Sequence, residues 1–278
     1  MLFGCAKEED VTPSENRNLY DLPDFSSPEE MEIRKNFYKE TGSFLLFNDS
    51  LGYSEKHTPQ GSQQICEVLD LHYEITSNIK HVFNFTYLKE SAKQQQAADW
   101  LAKEVLPMLP AVLRPAAILL TDDFLFQEYK FSYISYKYEL LPPKIIGSYS
   151  TYNATIVGCN NIFEMASEEK QAYVRDIIKV ILLRNASRLD DKEYAAFYQY
   201  SNAYYGTYDP NDESVGFLPE IGGRYDCSKK SVDLQSYIQE IFSMTKEEFT
   251  EKYASWDLVL KKRDALVKIL EKHGVKVY

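Results

Sequence analysis

The sequence predicts an α+β fold, or mixed α/β, because strand signals crowd its middle and amphipathic helices run from there to its end. Its composition fits a packed body: 44% of the 278 residues are hydrophobic and 26% are charged, ordinary globular proportions that argue against disorder. No convincing boundary interrupts residues 28–278, so one domain with a central mixed sheet and a C-terminal helical part is expected there. Residues 1–27 read as an N-terminal tether, rich in Pro, Ser, Asn and Asp.

The elements follow from local signals. Ser27-Pro28-Glu29-Glu30 is a capping box with Pro at the first helical position, and it opens a helix that Gly42 stops. Phe44–Phe47 is a short apolar strand, whereas residues 48–64, with Gly52, Pro59 and Gly61, read as loop. Ile65–Ile75 and Val82–Tyr87 mix strand and turn signals. Ala98, Leu101, Ala102, Val105 and Leu106 recur on one face of a helix from Ser91 to Leu106, closed by Pro107 and Pro110. Ala116–Leu120 is a compact buried strand followed by a turn at Thr121-Asp122-Asp123, and Phe131–Tyr138 alternates as a half-exposed strand does. Pro142-Pro143 ends it, and Ile145–Ser150 and Ala154–Gly158 follow as strands. The clearest helix runs from Ser167 to about Leu189, with Ser167 as cap, acids in its first turn and Val174, Ile177, Ile178, Ile181, Leu182 and Leu189 as a wide apolar face. Asp190-Asp191-Lys192-Glu193 opens a shorter helix to about Ala203, and residues 206–230 form a long loop. Ser231–Ser243 is helical, Thr245-Lys246-Glu247-Glu248 is a further capping box, and Ser255–Lys272 is a charged amphipathic helix ended by Gly274.

Charge narrows the function classes. With 31 Lys and Arg against 42 Asp and Glu, the net charge is -11, which argues against nucleic acid or an anionic membrane face as the main partner. No apolar run approaches the roughly 20 residues that cross a bilayer. The best are Ala116–Leu120 and Ile177–Leu183, and the second contains Lys179.

The N-terminus carries a more pointed signal. Leu2-Phe3-Gly4-Cys5 resembles a bacterial lipobox, in which a small residue fits the peptidase and the Cys thiol takes the lipid. Neither a basic leader region nor a full apolar one precedes it, so a chance LxGC is the alternative. Lys7-Glu8-Glu9-Asp10 resembles the acidic tag that sends some lipoproteins to the outer face of the outer membrane; a solvated charge run is the plain alternative. With Cys5 lipidated, Cys66, Cys159 and Cys227 are an odd number, so at least one stays free.

The usual catalytic signals are missing. His57, His72, His81 and His273 include no i,i+4 pair and complete no known metal set. GxSxG, GxxxxGK[ST] and GxGxxG do not occur. Asp122-Asp123 offers paired acids at a strand end, although a turn explains them as well. Tyr194, Phe197, Tyr198, Tyr200, Tyr204, Tyr205 and Tyr208 crowd one stretch, and Tyr198, Tyr204, Tyr205 and Tyr208 are candidates for an aromatic platform. Packing of their own helix on the body is the competing reading.

A tether, a strand region ending Gly147-Ser148 and Ile156–Asn161, a long helix over 168–189, a Tyr-rich helix and a loop with Gly216-Phe217-Leu218 follow in order. This arrangement resembles the zinc metallohydrolase lipoproteins encoded beside TonB-dependent nutrient importers in Gram-negative bacteria. The resemblance implies a zincin-like single domain over 28–278 and, in the family, an HExxH motif on the long helix, with its Glu as general base. Here the equivalent stretch is Leu183-Arg184-Asn185-Ala186-Ser187. Leu183 cannot ligate zinc, a Ser187 hydroxyl is a poor substitute, and Arg184 stays cationic where the base belongs. The family's later acidic ligand region falls near Asp233. The expectation is therefore no catalytic residue, no metal and no cofactor. Leu183, Arg184, Ser187 and Asp233 would line a ligand groove in which Arg184 pairs with an anionic group, or Arg184 is an ordinary surface residue. The resemblance implies an outer-membrane lipoprotein, surface-exposed and anchored through Cys5, that binds a peptide or glycan as an accessory to an importer. The alternatives are an active hydrolase, peptidase or glycosidase, using Asp122, Asp123 and nearby acids, and a plain structural protein of the envelope.

Overall fold

The structure, a computed structural model, describes residues 20, 26–58, 61–71, 81–159, 161–207, 212–218 and 229–278. Cys5, Lys7–Asp10, His72, Tyr208 and Cys227 lie outside the described residues, as do the side chains of His57 and His81.

Capping signals place the helices. Ser27 caps α1 (Pro28–Thr41) by accepting from the Glu30 amide at 3.2 Å, and Gly42 closes it at φ 75°. α2 (Ser91–Trp100) continues into a π-helical turn (Leu101–Val105) and a 3-10 turn (Leu106–Met108), so one apolar face carries through a change of helical pitch. α3 spans Ser167–Asn185, with Ala166 rather than Ser167 at the cap; the Glu169 carboxylate accepts from the Ala166 amide at 3.2 Å. A 3-10 turn (Asp191–Tyr194) leads into α4 (Ala195–Tyr198), in place of the predicted longer helix to Ala203. α5 (Lys230–Ser243), α6 (Lys246–Lys252), capped by Thr245, and α7 (Asp257–Lys272) complete the helical end.

The sheet is mixed and centred on one strand. β1 (Phe44–Leu46) pairs in parallel with β5 (Ala117–Ser132) in the register Leu45↔Ile118. On the other side β9 (Thr155–Gly158) runs parallel to β5, and β8 (Ser148–Ser150) is antiparallel to β9. The far half of β5 pairs with β4 (His81–Tyr87) as far as Glu128, and with β7 (Lys144–Ile145) at Leu125 and Phe126. It then forms a two-stranded ribbon with β6 (Lys137–Leu140). A mixed sheet followed by a helical end makes the fold α+β.

Two sequence expectations change here. Asp122 and Asp123 lie inside the 16-residue β5 and do not form a turn. Phe131–Tyr138 is not one strand; it is the end of β5, a turn at 133–136 and the start of β6. Tyr136 sits in that turn at φ 54°, a left-handed conformation that costs an L side chain about 1–2 kcal/mol.

Residues 50–69 form a compact unit of their own, and strand pairing replaces the loop expected over 48–64. Its hairpin, β2 (Ser50–Thr58) and β3 (Gly61–Val68), pairs Thr58↔Gly61 at the turn and Ser50↔Val68 at the open end. The second unit is the rest of the body, 26–49 and 70–278.

The core of that body draws Ile33 and Phe37 from α1, Leu45 from β1, Ile118 and Leu120 from β5, and Ile177, Ile178, Ile181 and Leu182 from α3. Each fully buried side chain of this size contributes about 1.5–3 kcal/mol. Arg175 on α3 fastens the C-terminus to this core. Its guanidinium donates to the Val277 carbonyl at 2.7 Å and to the Ile241 and Met244 carbonyls at 3.1 Å each. The rings of Phe242 and Tyr278 lie alongside. Two of those carbonyls belong to the end of α5, where no following turn satisfies them. Arg175→Ala is expected to lower stability by about 2–4 kcal/mol, read as a fall in the urea midpoint at unchanged slope. Arg175→Lys recovers only part, because an ammonium cannot span three carbonyls in one plane.

Candidate functional site

Tyr173, Asp176 and Arg184 are spaced to share one face of α3, and β8 with its flanking turns meets them in sequence order. The Tyr173 hydroxyl reaches the Gly147 carbonyl at 2.5 Å and the Gly158 carbonyl at 2.7 Å, with one proton for both. A Cβ at Gly147 would lie 2.2 Å from the Tyr173 ring, so only glycine lets the strand come this close. Ser148 Oγ donates to Asp176 at 3.2 Å, and Lys179 pairs with Asp176 at 2.5 Å. Further on, in the turn between β8 and β9, Tyr152 lies beneath Arg184: the guanidinium carbon is 3.7 Å from the ring centroid. Tyr152 is 51% exposed and Arg184 is half-buried. Arg184 makes no ion pair among the described residues. It lies in the last turn of α3, where the helix end favours a cation.

The rest of the Leu183–Ser187 stretch turns elsewhere. Leu183 packs against the core, and its carbonyl accepts from Gln235 at 3.2 Å. Asn185 is buried and donates to the Leu113 carbonyl at 3.0 Å, which ends α3. Ser187 is exposed on the 3-10 turn Ala186–Arg188, so the expected helical i,i+4 relation to Leu183 is not kept. These side chains do not fit a zinc ion: one has no donor atom, one is a fixed cation, and the third lies off the helix. Among the described residues no group of three or more His, Cys, Asp or Glu is placed to hold a metal.

Asp233 does not line a groove with Arg184. It lies in the interior at 3% exposure and pairs with Lys262 of α7, which is fully buried. Lys262 Nζ donates to Asp233 Oδ2 at 2.7 Å, to Oδ1 at 2.9 Å and to Ser201 Oγ at 2.9 Å. That accounts for all three of its protons. The Tyr205 hydroxyl also donates to Asp233 Oδ2. The rings of Phe197, Phe217 and Tyr237 surround the ammonium at 4.6–4.9 Å. Burial pushes the Asp233 carboxyl upward, and Lys262 and Tyr205 oppose that shift. Burial, then the Asp233 charge, raises the Tyr205 phenol far above its ordinary range. Asp233, Lys262 and Ser201 are all buried, and Asp233 and Lys262 are each other's charge partners.

The Tyr-rich stretch surrounds the same node. Tyr198 is 4% exposed and meets Phe197 and Tyr205 edge-on, so its ring has no free face for a ligand. Tyr204 and Tyr205 pack on Val215 and Phe217. The aromatic platform is therefore replaced, at Tyr198, Tyr204 and Tyr205, by side chains packed on the helical end.

Other candidates also separate. Asp122 and Asp123 are neighbours on a strand and point to opposite faces, so they cannot act on one bond together. His273 stands 3.0 Å from Glu193, which Lys272 also holds at 2.7 Å. Cys66 is exposed and free; Cys159 is free, buried, and raised by that burial, which makes it inert. A cleft of about 750 Å3 lies beside α3 and the α5–α6 corner; of its three cations, Arg175 and Lys179 are already engaged, and Lys246 lies in the first turn of α6.

Sequence reasoning found Arg184 and Asp233 and missed Tyr152, Ser201 and Lys262. Lys262 left a signal: it occupies the apolar phase of α7 between Val259 and Leu266, where a charge needs a buried partner. No protein-family model, no curated protein and no solved structure matches this chain. No described helix is long and apolar enough to cross a membrane.

Proposed function

We propose that this chain is a non-catalytic binding protein of the bacterial envelope, with a zincin-like body. It is anchored through Cys5 to the outer membrane and holds the anionic group of a peptide or glycan as an accessory to nutrient uptake. A long helix laid along the antiparallel edge strand of a mixed sheet supports the zincin-like reading. The observation that carries the binding reading is Arg184 on Tyr152. The ring holds one face of the guanidinium and leaves its N–H fork for a carboxylate, sulfate or phosphate. The adjoining aromatic suits a sugar ring or a peptide side chain.

An array of acidic and neutral glycans and peptides tests it. The wild-type chain is expected to retain acidic members and release them intact. Arg184→Ala should weaken that binding at least about tenfold, the worth of a charge-assisted pair. Arg184→Lys should restore little, because an ammonium neither stacks flat nor forks. Equal retention of acidic members by wild type and Arg184→Ala overturns the reading.

A further inference from the structure

The β5–β6 ribbon extends past the wider sheet with its aromatic face partly exposed. Beyond Glu128, the last β5 residue paired with β4, four residues of β5 pair with β6 alone among the described residues. Tyr129 and Phe131 stand opposite Leu140 and Tyr138 on one face, while Lys130 and Ser132 stand opposite Glu139 and Lys137 on the other. Phe131 touches Tyr133 and Tyr138 with ring centroids 5.3 Å apart in each case. The turn carries Tyr133, Ile134 and Tyr136 at 83%, 96% and 78% exposure. Keeping an aromatic at the left-handed Tyr136, where glycine or asparagine would be unstrained, points to a demand on the side chain itself.

We infer that this hairpin is a membrane-inserting tip, which wedges Tyr133, Ile134 and Tyr136 into the headgroup region of an anionic phospholipid bilayer. Three observations favour lipid over protein as the occupant. The apolar side chains sit on a narrow convex turn, whereas a protein partner needs a patch of about 800 Å2. Tyrosines beside an aliphatic residue, with lysines just behind, are the composition that settles at a water–hydrocarbon boundary. The charge is complementary: the ribbon and its turn, 129–140, carry Lys130 and Lys137 against Glu139 alone, in a chain that carries -11 overall. Four residues at about 3.4 Å each set the turn roughly 14 Å beyond the wider sheet. That exceeds the Debye length of about 8 Å at physiological salt, so Lys137, opposite Ser132 at the ribbon's end, acts largely apart from Glu128 at its base.

Vesicle sedimentation tests the inference, using the full chain with Cys5→Ser so that an acyl anchor cannot mask the result. Vesicles are phosphatidylcholine alone or mixed with phosphatidylglycerol. The mixed vesicles should bring the chain down, and added salt should weaken the binding. Tyr133→Ser with Ile134→Ser should cut partitioning at least about tenfold. Lys130→Gln and Lys137→Gln should each cut it about fivefold on mixed vesicles and leave phosphatidylcholine binding unchanged. Circular dichroism and the melting midpoint should match wild type, because these side chains are exposed. Partitioning that is absent, or the same for wild type and the serine variant, overturns the inference. So does a concentration-dependent dimer, without vesicle binding, that the serine variant abolishes. Arg184 is unaltered throughout, so neither result bears on the ligand reading.

Discussion

Lys262→Ala is expected to cost about 3–5 kcal/mol, a large share of the 5–15 kcal/mol that holds a typical domain together. The substitution leaves Asp233 charged, or forces it to take up a proton, at 3% exposure among Phe197, Phe217 and Tyr237. It also deprives Ser201 of a donor, though Ser201 still donates to the Val215 carbonyl at 2.8 Å. Asp233→Ala should do similar damage by stranding the ammonium. The pair itself need not add net stability, because desolvating two ions offsets much of their attraction. Lys262→Met with Asp233→Leu should therefore recover most of the loss of either single change. Urea unfolding of the four proteins checks this: both singles shift the midpoint down, and the double returns toward wild type. Singles that cost under about 1 kcal/mol would mean that water reaches the pair.

Alkaline unfolding should be steep and should expose tyrosines as a group. Burial, helped by Asp49 near Tyr87 and by Asp191 near Tyr194, lifts each of those phenols to about 12 from an ordinary 10.0. Burial raises Tyr173, Tyr198, Tyr205 and Tyr237 further. In the unfolded chain the same phenols release protons near 10. Their folded values are raised, so the stability they support is complete below about pH 10 and is lost as pH climbs toward 12 and beyond. Tyrosinate absorbance and circular dichroism, followed together, check it. The six raised phenols named here should appear only as the ellipticity collapses. A single smooth titration of all 22 tyrosines with the helices intact would contradict the packing described here.

The helices were legible because their ends are written locally. Ser27-Pro28, Thr245-Lys246-Glu247-Glu248 and Gly274 each fix a boundary through a cap or a left-handed glycine, with no need of distant residues. The β2–β3 hairpin was not legible: Gly61–Val68 presents polar side chains on both faces, so no alternation marks it, and cross-strand pairing alone defines it. β5 was cut short because Asp122-Asp123 is turn chemistry by composition; pairing with β4 on one side and β9 on the other keeps it extended. At the candidate site, Arg184 was legible as a cation near the end of the long helix. Its partner Tyr152 was not, since only the path of β8 along α3 brings the two together. Asp233 was legible as an acid and misjudged in direction, because the sequence did not show that α7 would present Lys262 to it.

The central claim is that Arg184 receives an anionic group which the protein then leaves uncleaved. It is tested most directly by following the Arg184 side-chain Nε signal by NMR while titrating an acidic oligosaccharide or peptide selected on the array, with mass spectrometry of the same sample. The account predicts a saturable shift of that signal with the acidic ligand, none with its neutral counterpart, and a ligand of unchanged mass. A signal that stays still at saturation, or fragments in the tube, would contradict it.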